Sequence, residues 1–272
     1  MSVTLLCTVR ECRTPLVRED RQWTCARGHS FDIARSGYVN LLQPQDKKAK
    51  VPGDTPEAVA ARRRFLDRGL AEPIVRAIVE ALPLPDEATL LDAGCGEGHH
   101  PAAFQAAYGV EAHGLDISVP AIELAARRWR ECHWTVANAD RFLPYADGSF
   151  DAVTSITARL NSSEFRRVLK PAGTLLVALA GPDDLIELRE AILGEGIERD
   201  RVDRTVETFA PHFTLQRQER ARHVVRLDRE AIADVLASSY RGLRTREREK
   251  LASLEDMDVT LSRDLLLLRA NE

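Results

Sequence analysis

The stretch from Ala88 to Gly98, Ala-Thr-Leu-Leu-Asp-Ala-Gly-Cys-Gly-Glu-Gly, restricts the fold more than any other part of the chain. Residues suited to a buried strand run into Asp92, and a turn carrying Gly94, Gly96 and Gly98 leads into a helical pattern. Strand, glycine turn and helix in that order open a Rossmann-type α/β unit. The spacing is G-x-G-x-G, not the G-x-G-x-x-G of dinucleotide folds, and it points to S-adenosyl-L-methionine. The nucleoside end of that cofactor has no pyrophosphate to neutralise. Glycine is needed there mainly to bring backbone close to the ligand without an intervening Cβ.

The 272 residues suffice for one large domain and a small appendage, and 44% hydrophobic with 29% charged residues is ordinary for a globular chain. No apolar run approaches membrane-spanning length, and the N-terminus lacks a signal-peptide layout, so the expectation is a cytoplasmic protein without a membrane partner. Three of the five cysteines fall in the first 25 residues, which suits a metal site in a reduced compartment. Cys7, Cys12, Cys25 and His29 are spaced C-x4-C-x12-C-x3-H, gaps that let two ligand pairs close a tetrahedron around a structural Zn2+. Trp23, Phe31 and Ile33 are the expected apolar cover of this small ribbon. The net charge of -4 hides an asymmetry: residues 1–70 hold 13 Lys and Arg against 8 Asp and Glu. Any polyanion site belongs at that end.

Lys47, Lys48 and Lys50 follow in a turn-rich stretch suited to phosphate contacts. Asp54, Thr55, Pro56 and Glu57 then read as a helix start, which places Arg62, Arg63 and Arg64 on one helix, as a solvated face or an RNA contact. With these motifs the sequence resembles the 23S rRNA (guanine-N1)-methyltransferases. The resemblance runs through the Cys3His set, Gly37-Tyr38-Val39-Asn40-Leu41-Leu42, Pro52-Gly53-Asp54, Ala61-Arg62-Arg63-Arg64-Phe65-Leu66-Asp67 and Leu91 to Gly98, and covers most of the chain to about residue 180. It implies an N-terminal zinc ribbon that recognises ribosomal RNA, ahead of a Rossmann-like class I methyltransferase domain with a mostly parallel seven-stranded α/β sheet ending in an antiparallel pair. The expected division is ribbon 1–42, basic linker and helices 43–85, and methyltransferase domain 86–272.

Within that domain, strands are expected at Thr89–Ala93, Val110–Asp116, Cys132–Ala137, Phe150–Ile156 and Thr174–Leu179, with helices between them. Asp92, Asp116 and Asp140 recur at intervals of 24, at or just past the carboxyl ends of the first three strands, where open α/β sheets hold their ligands. Asp116 is suited to both ribose hydroxyls, and the resemblance to this enzyme type implies that Asp140 accepts from the adenine amine. The cofactor set is therefore Asp92, Gly94, Gly96, Glu97, Gly98, Asp116, Ile117 and Asp140. Further on, a polar stretch with Gly194 and Gly196 is expected to reach over the site, and 214–222, 229–240 and 258–268 read as strand, helix and strand.

A sulfonium methyl is already activated, so the protein's task is alignment and desolvation, and little acid/base machinery is required. After the fourth strand the family carries an aromatic, a small residue and a proline, where this chain has Thr157-Ala158-Arg159. No catalytic residue is assigned. The leading reading is methyl transfer to guanine N1 of large-subunit rRNA. Two others stand beside it: a small-molecule methyltransferase that keeps the ribbon as a lid or dimer contact, and an RNA-binding protein that retains both sites without transferring methyl. The oligomeric state is open, a homodimer included.

Overall fold

A computed structural model of the chain describes residues 3–46, 52–194, 200–239, 250 and 254–271. Three short antiparallel strands, β1 (Leu16–Glu19), β2 (Gln22–Cys25) and β3 (Ser30–Asp32), form the ribbon. Phe31 is buried beneath it, Trp23 packs half-buried on the same core, and Ile33 bridges to Val39.

The main sheet has the order β10-β11-β9-β8-β5-β6-β7-β4. Its parallel part comprises β5 (Thr89–Ala93), β6 (Glu111–Asp116), β7 (His133–Val136), β8 (Phe150–Ile156) and β9 (Leu169–Ala180). All five residues of β5 are buried, as a central parallel strand covered on both faces requires. Antiparallel β11 (Met257–Ala270) and β10 (Phe213–Leu227) close one edge. These are the seven expected strands. The eighth is an addition: β4 (Val39–Asn40), read with the ribbon from sequence, pairs in parallel with β7. Two residues are too few for a periodic signal, and only the pairing makes them a strand.

Helix α1 (Pro56–Asp67) starts as its sequence dictates, with the Thr55 hydroxyl accepting from the Ala58 amide and Pro56 in the first turn. Helices α2 (Glu72–Ala81), α3 (His99–Tyr108), α4 (Val119–Arg128) and α5 (Ser162–Val168) follow close to their expected limits. Residues 170–173 loop out of β9: Leu169 pairs with Phe150 and Thr174 already with Ala152. Beyond α6 (Ile186–Leu193) lies α7 (Val202–Phe209), which sequence reading passed over, and then α8 (Arg229–Ser239). Gly194 caps α6, whereas Gly196 and the cluster Lys47, Lys48 and Lys50 lie outside the described residues. Among the described residues no helix is long and apolar enough to cross a membrane.

Strands β5, β6 and β7 are laid down in one direction across the sheet, and β8 and β9 on the other side of β5. The strand order therefore reverses between β5 and β8, which opens a crevice at their carboxyl ends.

Candidate functional site

That crevice is a cavity of about 630 Å3 whose walls include Glu97, Asp116, Ile117, Asp140 and Thr157. The glycine turn forms its floor, and two of its glycines are required sterically. A Cβ on Gly94 would lie 2.4 Å from the Ala158 methyl, and one on Gly98 would lie 2.4 Å from the Trp134 ring; both residues have positive φ. The Gly96 amide donates to Asp116 Oδ2 at 3.0 Å and the Ser118 amide to Oδ1 at 2.8 Å. These bonds fix the Asp116 carboxylate at the end of β6, while burial raises its pKa and the two amides oppose the shift.

Of the eight residues expected around the cofactor, Gly94, Gly96, Glu97, Asp116, Ile117 and Asp140 line the cavity. Asp92 and Gly98 stand behind it. Asp92 faces its cross-strand partner Thr154, whose hydroxyl donates to the carboxylate at 2.8 Å, and burial pushes its pKa up to about 7. Gly98 lies against Trp134 and lets α3 begin close to the sheet. Cys95 and Cys132 are buried packing residues.

Sequence reading missed the strap across this cavity. Pro52-Gly53-Asp54 packs on the start of α4, where a Cβ on Gly53 would meet Ser118 backbone at 2.8 Å and the Ser118 hydroxyl donates to the Asp54 carbonyl. Arg62 then bridges Asp54 at 2.8 Å and Glu97 at 3.6 Å. Arg63 pairs with Asp67, and Arg64 with Asp234 of α8. Arg62 and Arg64 thus tie α1 to its neighbours, whereas the Arg63–Asp67 pair lies within α1; Arg63 and Arg64 remain exposed, in keeping with the solvated face among the two expectations. A conspicuous basic triplet carried no signal about its acidic partners, which lie up to 170 residues away.

One polar atom in the cavity is orphaned. Glu97 is 5% exposed, and its Oε2 has no hydrogen-bond partner among the described residues. Burial raises its pKa, and Arg62 only partly opposes this. Arg62 Nη1, 3.6 Å from that oxygen, is beyond hydrogen-bond distance, so a buried carboxylate oxygen is left to accept from a cationic ligand group, and the ammonium of S-adenosyl-L-methionine fits it. At the other end, the Asp140 amide is bonded to Asn138 Oδ1 at 3.0 Å, and its carboxylate lies 3.5 Å from Arg159 Nε.

The second cluster lies in the ribbon. Sγ of Cys7, Cys12 and Cys25 and a ring nitrogen of His29 all fall within 4.8 Å of one another. Cys12 and Cys25 Sγ are 3.8 Å apart, and His29 Nδ1 is 3.4 Å from the sulfurs of Cys7 and Cys25. A tetrahedron around Zn2+ with ordinary bond lengths has S–S edges of about 3.8 Å and S–N edges of about 3.6 Å. The cluster fits a closed structural zinc site with no open position.

Comparison with known proteins finds matches for both parts of the chain. The family model described as the N-terminal zinc ribbon of RlmA matches residues 6–50, and the methyltransferase-domain model matches residues 90–173. The chain is 37% identical over 236 residues to a 23S rRNA (guanine(748)-N(1))-methyltransferase of Streptomyces fradiae, a match covering 83% of this chain and 81% of the other. Among solved structures, the YcgJ protein of Bacillus subtilis superposes with a TM-score of 0.54 at 18% identity, over 73% of this chain and 98% of that one. The [4+2]-cyclase SpnF superposes with 0.52 at 20% identity, over 73% and 81%. The two structural likenesses speak for the fold alone, and the cyclase illustrates that this fold hosts more than one chemistry.

Proposed function

The chain belongs to the 23S rRNA (guanine-N1)-methyltransferase family, and from that membership we propose that it transfers a methyl group from S-adenosyl-L-methionine to guanine N1 of large-subunit ribosomal RNA. One observation carries the reading: the Streptomyces fradiae relative aligns through most of both chains.

When bound, the cofactor supplies a methyl group already activated on a sulfonium. The chain's residues hold and orient it. Asp140 accepts from the adenine amine, Asp116 from the ribose hydroxyls, and Glu97, backed by Arg62, from the methionine ammonium. Support for this order comes from the adjacent strands β7, β6 and β5, after or at whose ends Asp140, Asp116 and Glu97 stand, and from the unsatisfied Glu97 oxygen. Gly94 and Gly96 let backbone approach the ligand, and the Pro52-Gly53-Asp54 strap helps to exclude water, so that positioning does most of the work. Cys7, Cys12, Cys25 and His29 hold Zn2+, and the ribbon they close contacts the RNA. On this reading the ribbon (1–42), the linker and helices (43–85) and the catalytic domain (86–272) divide the tasks of recognition, strapping and transfer.

The test is transfer of labelled methyl to rRNA from a strain lacking the enzyme, followed by nucleoside mass mapping. N1-methylguanosine at one position is the expected product. Label appearing only in small metabolites would replace the reading with a small-molecule methyltransferase. RNA binding without turnover would replace it with a non-catalytic RNA binder.

A further inference from the structure

A second cavity, of about 550 Å3, lies directly behind the cofactor cavity. We propose that it receives the acceptor base, turned out of the RNA, and that Arg263 reads that base as guanine through O6 and N7. The proposal rests on the rRNA reading above and names the part of the chain that selects the nucleotide.

The two cavities meet at a common wall of Asp54, Arg62, His100, Ile156 and Thr157. Asp116 and Asp140, which face the nucleoside end of the cofactor, border the first cavity only, as does Glu97, but Glu97 is joined to the common wall by its ion pair with Arg62. The methionine end therefore points to the common wall, and a methyl group leaving sulfur there enters the second cavity. Its size lies within the range of about 300–1,000 Å3 typical of ligand pockets. Phe65, Ile74, Ile78 and Leu261 give it buried apolar walls suited to the faces of a purine. His100 on the common wall is kept uncharged by desolvation, its pKa pushed down to about 3, and so does not repel an approaching sulfonium.

Polar groups also converge on this cavity. Arg263, on β11 opposite Ala180 of β9, donates from Nη1 to the Ser262 carbonyl at 2.7 Å and lies 2.6 Å from Asp184 Oδ1. The same Asp184 oxygen accepts from the Ser262 amide at 2.8 Å. One side of the guanidinium is thus fixed, while Nε and Nη2 have no partner among the described residues. A planar fork of spare donors in a pocket walled by both apolar and polar side chains matches the two adjacent acceptors, O6 and N7, on guanine's major-groove edge. Adenine offers an amino donor in place of O6 and would leave the guanidinium facing another donor. Reading from that edge leaves N1 facing the methyl: as N1 bonds to the methyl carbon the C–S bond breaks with its electron pair returning to sulfur, and the N1 proton is lost to solvent. Asp184 is then a positioning residue that acts through Arg263.

The test combines an altered base with altered protein. Once the target guanine is mapped, an rRNA fragment is assembled with 7-deazaguanosine at that one position, which removes N7 and leaves the protein untouched. For the unaltered enzyme kcat/KM should fall about 5- to 150-fold, the discrimination that a bidentate arginine pair provides. Arg263→Gln should lose at least as much on the natural RNA and be indifferent to 7-deazaguanosine, and Arg263→Lys, which keeps the charge, should not restore the fork. Cofactor Kd by calorimetry should stay within about twofold in both variants. The proposal is overturned if the unaltered enzyme ignores the loss of N7 or if Arg263→Gln transfers normally. It is equally overturned if cofactor affinity falls in parallel with transfer, which would assign the cavity to the cofactor. If the unaltered enzyme methylates no rRNA at all, the reading beneath fails and takes this one with it.

Discussion

Arg159 Nε stands 3.5 Å from the Asp140 carboxylate on the wall of the cofactor cavity, whereas Arg263 borders only the second cavity. The three residues after β8 are accounted for locally. Thr157 turns the chain with a φ of 51°, the Ala158 methyl fills the space that Gly94 leaves open, and Arg159 reaches back to Asp140. Arg159 is 84% exposed, so its ion pair contributes little. Arg159→Ala should change cofactor Kd less than about fivefold. Asp140→Asn, which removes a charged acceptor for the adenine amine, should weaken binding about tenfold or more. Calorimetric titration with S-adenosylhomocysteine separates the two, and a larger loss from Arg159→Ala would show that the arginine itself holds the nucleoside.

Glu97 permits a sharper test because its proposed partner is one group on the ligand. Glu97→Gln should weaken S-adenosylhomocysteine about tenfold or more, as expected for loss of a buried charged hydrogen bond. Methylthioadenosine, which lacks the ammonium, should bind both proteins alike; equal losses for both ligands would contradict the assignment. Burial raises the Glu97 pKa, so its carboxylate protonates at a higher pH than an ordinary glutamate. Affinity for S-adenosylhomocysteine should therefore begin to fall early on acidification, and Glu97→Gln should flatten that dependence.

Asp92 bears on stability. Its folded pKa is about 7 against 3.8 for an ordinary aspartate; burial is the main cause, and the Thr154 hydroxyl opposes it. Between these values the folded chain holds a proton that the unfolded chain has lost, so this group's contribution is complete below about pH 4 and declines as pH rises to about 7. Asp92→Asn keeps an acceptor for the Thr154 hydroxyl and removes the buried charge. It should raise the thermal midpoint at pH 8 by an amount equivalent to a few kcal/mol at most, with little effect near pH 4. Thermal scans of the ligand-free protein across that range check this, and destabilisation at pH 8 would mean that the charge is compensated in the fold.

The same residue marks the limit of what the chain's pattern discloses. Strand ends, the glycine turn and the acids after β6 and β7 were legible because local periodicity and turn chemistry determine them. Asp92 has the same spacing but lies within β5, beside Thr154 of β8, and its side chain faces that partner instead of the crevice. Spacing cannot disclose a cross-strand neighbour 62 residues away. The partners of Arg62 and Arg64, and the joining of Arg263 with Asp184, were illegible for the same reason. The Cys3His cluster was readable because its ligands come as two short-range pairs, so local turns do much of the positioning.

The ribbon's attachment leads to the last prediction. Leu5, Leu16 and Phe31 share one buried cluster with Leu91, Tyr145 and Phe150 of the main domain. The Leu6 amide donates to the Pro144 carbonyl, Ala146 to Thr4, and Leu41 to Val136, while β4 extends the sheet beside β7. A ribbon tethered only by a linker would melt separately; one that contributes to a common core should not. Zinc in such sites supplies much of the local folding energy. Chelation, or Cys25→Ser, should therefore lower the midpoint of a single cooperative transition, by on the order of 10 °C for a loss of several kcal/mol. Cofactor affinity should weaken as well, because the Asn138–Asp140 segment follows directly from β7. Calorimetry on the zinc-loaded and chelated protein decides the matter. A main transition left at its original temperature after chelation would show that the two parts fold independently.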